Sequence, residues 1–262
     1  MGYLNNQMGY RESLLATRSF VKPGNCALLT EDGLVKNVIP GFENVDLTIL
    51  GSPRMGARFV DYRLNVLPGG GHFEGFGGEG IQTFIYVIEG ELEVTIDGKT
   101  SKLTSKGYAY TPSGTKLHFK NTSDQDTQAF LYKKRYDSVN GRYETYPIVG
   151  NVSDLEWIEY EGMKDVLVCN FLPSDIEFDM NFHILDFAPG ASHGYIETHV
   201  QEHGALILSG QGMYNLDNEW MPVEKGDYLF MGAYSLQVAY AVGREEHLTY
   251  VYSKDCNRDI EL

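Results

Sequence analysis

The chain is written twice. Landmarks in the first half recur in order in the second: Pro68-Gly69 matches Pro189-Gly190, Ile88-Glu89-Gly90 matches Leu208-Ser209-Gly210, Asp97-Gly98 matches Asp217-Asn218, and Lys106-Gly107-Tyr108 matches Lys225-Gly226-Asp227. The offset stays between 119 and 121 residues, so the 262-residue chain holds two copies of one structural unit. Inside each copy, short alternating runs such as FIYVIEGELEVTID and ALILSGQGMYNL are split by turn residues. Leu92, Val94 and Ile96 alternate with Glu91, Glu93, Thr95 and Asp97, which predicts strands with one buried and one wet face. Asp97-Gly98 is a hairpin turn signal. The expectation is an all-β chain of two consecutive antiparallel barrels of double-sheet type. The first spans residues 1–146 and the second 147–262, joined by the Tyr-rich stretch from Leu131 to Asn151. Helical periodicity is confined to short pieces around Tyr10–Ala16 and Ser153–Tyr160.

Composition agrees with many tight turns and narrows the partners. There are 29 glycines and 18 tyrosines, and 36 acidic against 21 basic residues give a formal net charge of −15. A polyanion would be repelled, so neither nucleic acid nor an anionic membrane is expected as partner. A small anionic substrate held by a local cation stays compatible with that charge. Cys26, Cys169 and Cys256 stand at wide, motif-free spacing and read as reduced thiols with structural roles. The N-terminal stretch lacks both the apolar core of a leader and a twenty-residue apolar run, so a soluble, cytoplasmic protein is expected.

The chemistry concentrates in the second copy. Glu197, His199 and His203 stand as E-x-H-x3-H, and Gln237 follows thirty-four residues after His203. Oxygen and nitrogen donors without a thiolate suit a hard or borderline divalent ion: Mn, Fe, Ni or Zn. The remaining histidines, His72, His118, His183, His193 and His247, read as structural or solvated. GFGGEG at Gly75–Gly80 lacks the Lys-Ser/Thr and the helix of a phosphate loop, and reads as a turn.

These residues resemble the cupin superfamily, whose two motifs run G-x5-H-x-H-x3/4-E-x6-G and G-x5-P-x-G-x2-H-x3-N. In the second copy Glu197 fills the first His slot, His199 the second, His203 the Glu slot, and Gly210 closes the motif, with one extra residue after Gly190. Gly226 opens the second motif, with Gly232 in the Pro slot, Tyr234 in the Gly slot and Gln237 in the His slot. The corresponding positions of the first copy are Gly77, Glu79, Thr83 and Leu117, only one of them a good ligand, so the metal set is lost, while Pro112, Gly114 and Asn121 are kept. The first barrel is therefore expected to be structural.

From MGYLNN to YSKDCNRD the chain resembles one bicupin family in particular, (S)-ureidoglycine aminohydrolase of allantoin catabolism. The resemblance rests on the silent first cupin, the ETHVQEHG box, Gln237 and the closing YSKDCNRD. It implies a Mn²⁺-dependent enzyme that releases ammonia from (S)-2-ureidoglycine to give (S)-ureidoglycolate. It implies Glu197, His199, His203 and Gln237 as metal ligands, with Glu197 also the proton acceptor. It further implies Glu197, Gln237, Tyr250, Lys254 and Tyr214 as substrate contacts, Lys254 facing the substrate carboxylate, and a homo-oligomer. Asp255, Asn257 and Arg258 are expected to anchor the tail. Read from the residues alone, a metal-dependent oxygenase or isomerase and a non-catalytic ligand-binding bicupin stay open.

Overall fold

The computed structural model describes residues 17–139, 145–256 and 258–259. The helical piece expected at Tyr10–Ala16 and the tail residue Asn257 lie outside them. In chain order the strands begin with β1 (Phe20–Lys22), β2 (Cys26–Leu29), β3 (Phe42–Ile49), β4 (Phe59–Gly77), β5 (Ile81–Glu89), β6 (Glu91–Ile96), β7 (Lys99–Thr104), β8 (Gly107–Thr111), β9 (Lys116–Lys120), β10 (Thr127–Arg135) and β11 (Ile148–Asn151). They continue with β12 (Trp157–Tyr160), β13 (Met163–Asn170), β14 (Met180–Phe187), β15 (His203–Ser209), β16 (Gln211–Leu216), β17 (Glu219–Glu224), β18 (Tyr228–Met231), β19 (Gln237–Val242) and β20 (Leu248–Asp255). Among the described residues helix is limited to single 3₁₀ turns at Glu31–Gly33 and Val152–Asp154, and no helix is long and apolar enough to cross a membrane.

Two compact units result. In the first, β11-β8-β5-β10-β4-β9-β6-β7 form one sheet with β3 added on β4. Its core collects the inward residues of the alternating strands, including Leu92, Val94, Leu117, Phe119 and Leu131. The turn at Asp97-Gly98 has φ of 48° and 74°, the left-handed pair a two-residue hairpin needs, and Ile96 faces Lys99 across it. The positions matching the metal slots are filled otherwise. Leu117 is fully buried in the core, and the Thr83 and Thr111 hydroxyls bond each other.

In the second unit an eight-stranded sheet runs β1-β2-β18-β15-β20-β14-β13-β12, and β17-β16-β19 form a three-stranded sheet. Asp217-Asn218 repeats the hairpin turn, with φ of 52° and 65°. The core shared by these sheets contains Tyr214, Tyr250 and Tyr252, which reappear below.

Strand pairing divides the chain differently from a single cut at 146/147. Residues 17–33 and 53–57 belong to the second unit, because β2 pairs with β18 (Phe230 opposite Ala27), and β11 extends the sheet of the first. The stretch from Leu131 to Asn151, read as a link, begins and ends in strands. The helical reading of Ser153–Tyr160 also gives way. One 3₁₀ turn is followed by β12, whose Trp, Ile and Tyr pair with β13 across a left-handed turn at Glu161-Gly162 (φ 51° and 76°).

Candidate metal centre and active site

All of the second copy's donors lie in the second unit. The segment 189–197 runs beside β19 without becoming a regular strand. Glu197 N–H donates to Gln237 O at 2.9 Å and Gln237 N–H to Glu197 O at 3.0 Å, so two expected ligands are locked directly opposite one another. His203 begins β15, and Tyr234 N–H donates to His199 O at 2.7 Å, which fixes the loop between them.

The side chains converge. His203 Nε2 lies 3.2 Å from His199 Nε2, and Gln237 Nε2 lies 3.0 Å from the same His199 atom. Two donors each about 2.1 Å from one ion at a right angle stand about 3 Å apart, so the spacing suits a shared metal. The tautomers strengthen the case. His203 Nδ1 donates to Ser253 O at 2.8 Å and His199 Nδ1 to Gln201 O at 3.1 Å. Both Nε2 atoms therefore present lone pairs to each other, an arrangement a cation between them would satisfy. Burial pushes both imidazoles below their usual range and keeps them neutral, the ligand form. The Gln237 amide can turn its oxygen inward, since its two ends are alike in shape.

Glu197 stands slightly apart. Its Oε2 is 3.7 Å from His199 Nε2, while its Oε1 accepts a hydrogen bond from Tyr160 Oη at 3.0 Å. Burial raises its pKa, opposed by the Tyr160 hydrogen bond and by the charge of Lys254. Among the described residues no three His, Cys, Asp or Glu groups form a ready-made cage. The cluster instead has two imidazoles, one amide and one carboxylate that a small swing would bring in.

Glu197, His203 and Gln237 line one pocket, whose wall also holds Tyr214, Tyr250, Tyr252 and Lys254. Tyr250, Tyr252 and Lys254 share a face of β20 by strand alternation. Tyr214 comes from β16, and its ring meets that of Tyr250 edge-on at 6.1 Å. Every site residue expected from the sequence thus lines or adjoins this space. Among the described residues Glu197 is the one carboxylate of the wall and Lys254 the one ammonium.

The chain is similar to known proteins along its whole length. The model of the cupin domain matches residues 63–132, in the first copy. The chain is 63% identical over all 262 residues to the (S)-ureidoglycine aminohydrolase of Escherichia coli K12, covering 100% of both chains. The chain belongs to the (S)-ureidoglycine aminohydrolase family. The crystal structure of protein Ylba from E. coli superposes with a TM-score of 0.86 at 59% identity, covering 97% of this chain and 100% of that one. A point mutant of Bacillus subtilis oxalate decarboxylase superposes at 0.67 and 10% identity over 93% of this chain and 80% of that one, a likeness of the bicupin fold alone.

Besides the apolar Leu185 and Met231, the pocket is lined by Tyr252, Tyr160 and His193, which were not anticipated. Tyr252 could have been: it lies between Tyr250 and Lys254 in the same alternation. Tyr160 sat in a stretch whose pattern read as helix. His193 read as structural or solvated, yet its ring is buried with Nε2 3.6 Å from Glu197 Oε1. The other four behave as read. His72 packs among Phe42 and Phe76, His118 bonds Phe73 O, His183 meets Asn170, and His247 pairs with Asp186. The thiols of Cys26 and Cys169 are buried and free, and burial pushes both up to about 11.

Proposed function

We propose that this chain hydrolyses (S)-ureidoglycine, releasing ammonia and forming (S)-ureidoglycolate in the breakdown of allantoin. The observation that carries this reading is the 63% identity running end to end with the E. coli enzyme. The pocket supports it chemically, because ureidoglycine bears a carboxylate, a ureido arm and an amine on one carbon.

His199, His203, Gln237 and Glu197 are the residues that would hold a divalent ion, Mn²⁺ in this reading. Bound there, it would supply a fixed positive charge that anchors and orients the substrate. Three neutral ligands and one carboxylate leave the site net positive toward an anion. Lys254 pairs with the substrate carboxylate, while the Tyr250 and Tyr214 hydroxyls and the Gln237 amide offer hydrogen bonds to its polar arms. Held this way, the carbon exposes one face, and orientation alone can lower a barrier by several kcal/mol. In the net reaction water supplies the hydroxyl, the carbon–nitrogen bond to the amine breaks, and the amine leaves as ammonia. Glu197, the only carboxylate of the wall among the described residues, accepts the proton released. Its raised pKa suits a group that takes up a proton and returns it.

The setting we propose is a cytoplasmic enzyme acting on a small molecule, without nucleic-acid or membrane partners, consistent with its −15 charge. It works as a homo-oligomer. β12 is an edge strand with Trp157 and Ile158 exposed, a surface suited to cover by another copy.

The deciding experiment measures ammonia released from freshly prepared ureidoglycine by Mn²⁺-loaded protein. Release well above the spontaneous rate is expected. A rate equal to the spontaneous one, with metal bound, overturns the reading.

A further inference from the structure

We infer that Tyr160 and His193 form a two-donor clamp on Glu197 Oε1, which reserves Oε2 of the same carboxylate for the metal. The inference rests on the metal assignment above and adds two positioning residues to it.

The geometry is specific at each atom. Tyr160 Oη donates to Oε1 at 3.0 Å. On the other side of the ring of contacts, Ala239 N–H donates to His193 Nδ1 at 3.0 Å. That bond makes Nδ1 the acceptor and leaves the ring proton on Nε2. His193 Nε2 is buried and finds no hydrogen-bond partner within normal distance, and Glu197 Oε1 lies 3.6 Å from it. A buried N–H left unsatisfied is costly, so a shift of a few tenths of an ångström toward Oε1 is favoured. The two rings also support each other and their surroundings. Tyr160 and His193 meet at 5.7 Å between centroids, and Phe187 meets His193 edge-on at 4.9 Å. Oε2, on the opposite side, is the oxygen that faces His199 Nε2.

A carboxylate free to rotate would offer either oxygen, or both, to the ion. With Oε1 held by two donors, the group is set for single-oxygen ligation, and its orientation is fixed before metal or substrate arrives. Groups that orient a metal ligand in this way typically change metal affinity or activity 10- to 100-fold when removed.

The test is calorimetric titration of Mn²⁺ into the metal-stripped full chain, comparing wild type with Tyr160→Phe, His193→Leu, His193→Gln and Glu197→Gln. Tyr160→Phe and His193→Leu are expected to bind Mn²⁺ about 10-fold more weakly. His193→Gln, which retains an N–H donor, should recover most of the loss, and the metal-free proteins should melt near wild type. At saturating Mn²⁺, kcat should fall about 10-fold or more with KM changed less than about threefold, because neither residue is assigned a substrate contact. Should His193→Leu unfold, Tyr160→Phe decides alone, since it removes one hydroxyl. Mn²⁺ affinity and kcat within twofold of wild type in Tyr160→Phe overturn the clamp. If Glu197→Gln weakens Mn²⁺ binding while Tyr160→Phe does not, the clamp fails and the metal assignment stands. If wild type binds no Mn²⁺, or Glu197→Gln binds it equally well, the metal assignment fails and the clamp with it.

Discussion

At the scale of single residues, Lys254 and Glu197 are assigned opposite charges and separate tasks, so their variants should separate too. Lys254→Met is expected to raise KM at least about tenfold while leaving Mn²⁺ affinity near wild type, because a lost counter-charge weakens substrate and not ligand. Equal losses in both would contradict the assignment. Glu197→Gln removes the anionic ligand and the proton acceptor together, and kcat should drop by about 100-fold or more. His193 carries a pH signature of its own. Burial pushes it down to about 4 from 6.5. Below about pH 6.5 the unfolded chain therefore takes up a proton that the folded one refuses. The stability tied to His193 is intact above that pH and drains as pH falls toward 4, by up to ~3 kcal/mol. Metal-free His193→Gln should accordingly lose its thermal midpoint less steeply than wild type between pH 6.5 and 4. Parallel curves would show that His193 is not held neutral.

At the scale of elements, the N-terminal hairpin β1–β2 explains an oddity in the motif. Gly232 stands where the cupin pattern has proline. Its N–H donates to Asn25 O at 2.6 Å, a bond proline cannot make, and a Cβ there would come 2.7 Å from Gly24 O and 2.8 Å from Asn25 O. The hairpin leaves room for glycine alone. Gly232→Ala is expected to cost about 2 kcal/mol or more, read as a lower denaturation midpoint. Tyr234, two residues on, has φ of 63° in the glycine slot, so the left-handed conformation outlasted the residue type that usually supplies it. Just before the hairpin, Arg18 grips Asp227 through both nitrogens, at 2.8 and 3.1 Å. Asp227 is nearly inaccessible, and Arg18→Ala would strand its charge. A loss of about 1–3 kcal/mol is expected in chemical denaturation, discounted because Arg18 is partly exposed.

At the scale of the whole molecule, the two copies share one construction, and the metal site is proposed for the second alone. The first copy has Leu117 in its core and Thr83, bonded to Thr111, where the second has the proposed ligands Gln237 and His203. The metal-stripped chain should therefore take up one equivalent of Mn²⁺ per chain, counted by calorimetry or elemental analysis. Two equivalents would mean that the first unit has a site of its own. Light scattering should give a mass of at least twice 29.5 kDa, and a monomer at working concentration would remove the role assigned to the exposed edge of β12.

Much of this was legible in the chain because its signals are local. The repeat, the alternation of Leu92, Val94 and Ile96, the Asp97-Gly98 turn and the E-x-H-x3-H spacing all lie within short windows, where strand period and turn chemistry act directly. The proposal of Glu197, His199, His203 and Gln237 as donors rests on spacing of the same kind. What only the tertiary structure decided depends on pairing between distant segments. Ala239 chooses the tautomer of His193, the turn at Glu161-Gly162 brings Tyr160 to Glu197, and β2 on β18 carries the hairpin into the second unit and leaves Gly232 no alternative. Each is a contact between residues tens to hundreds of positions apart, set by register across a sheet, and no periodicity along the chain encodes it.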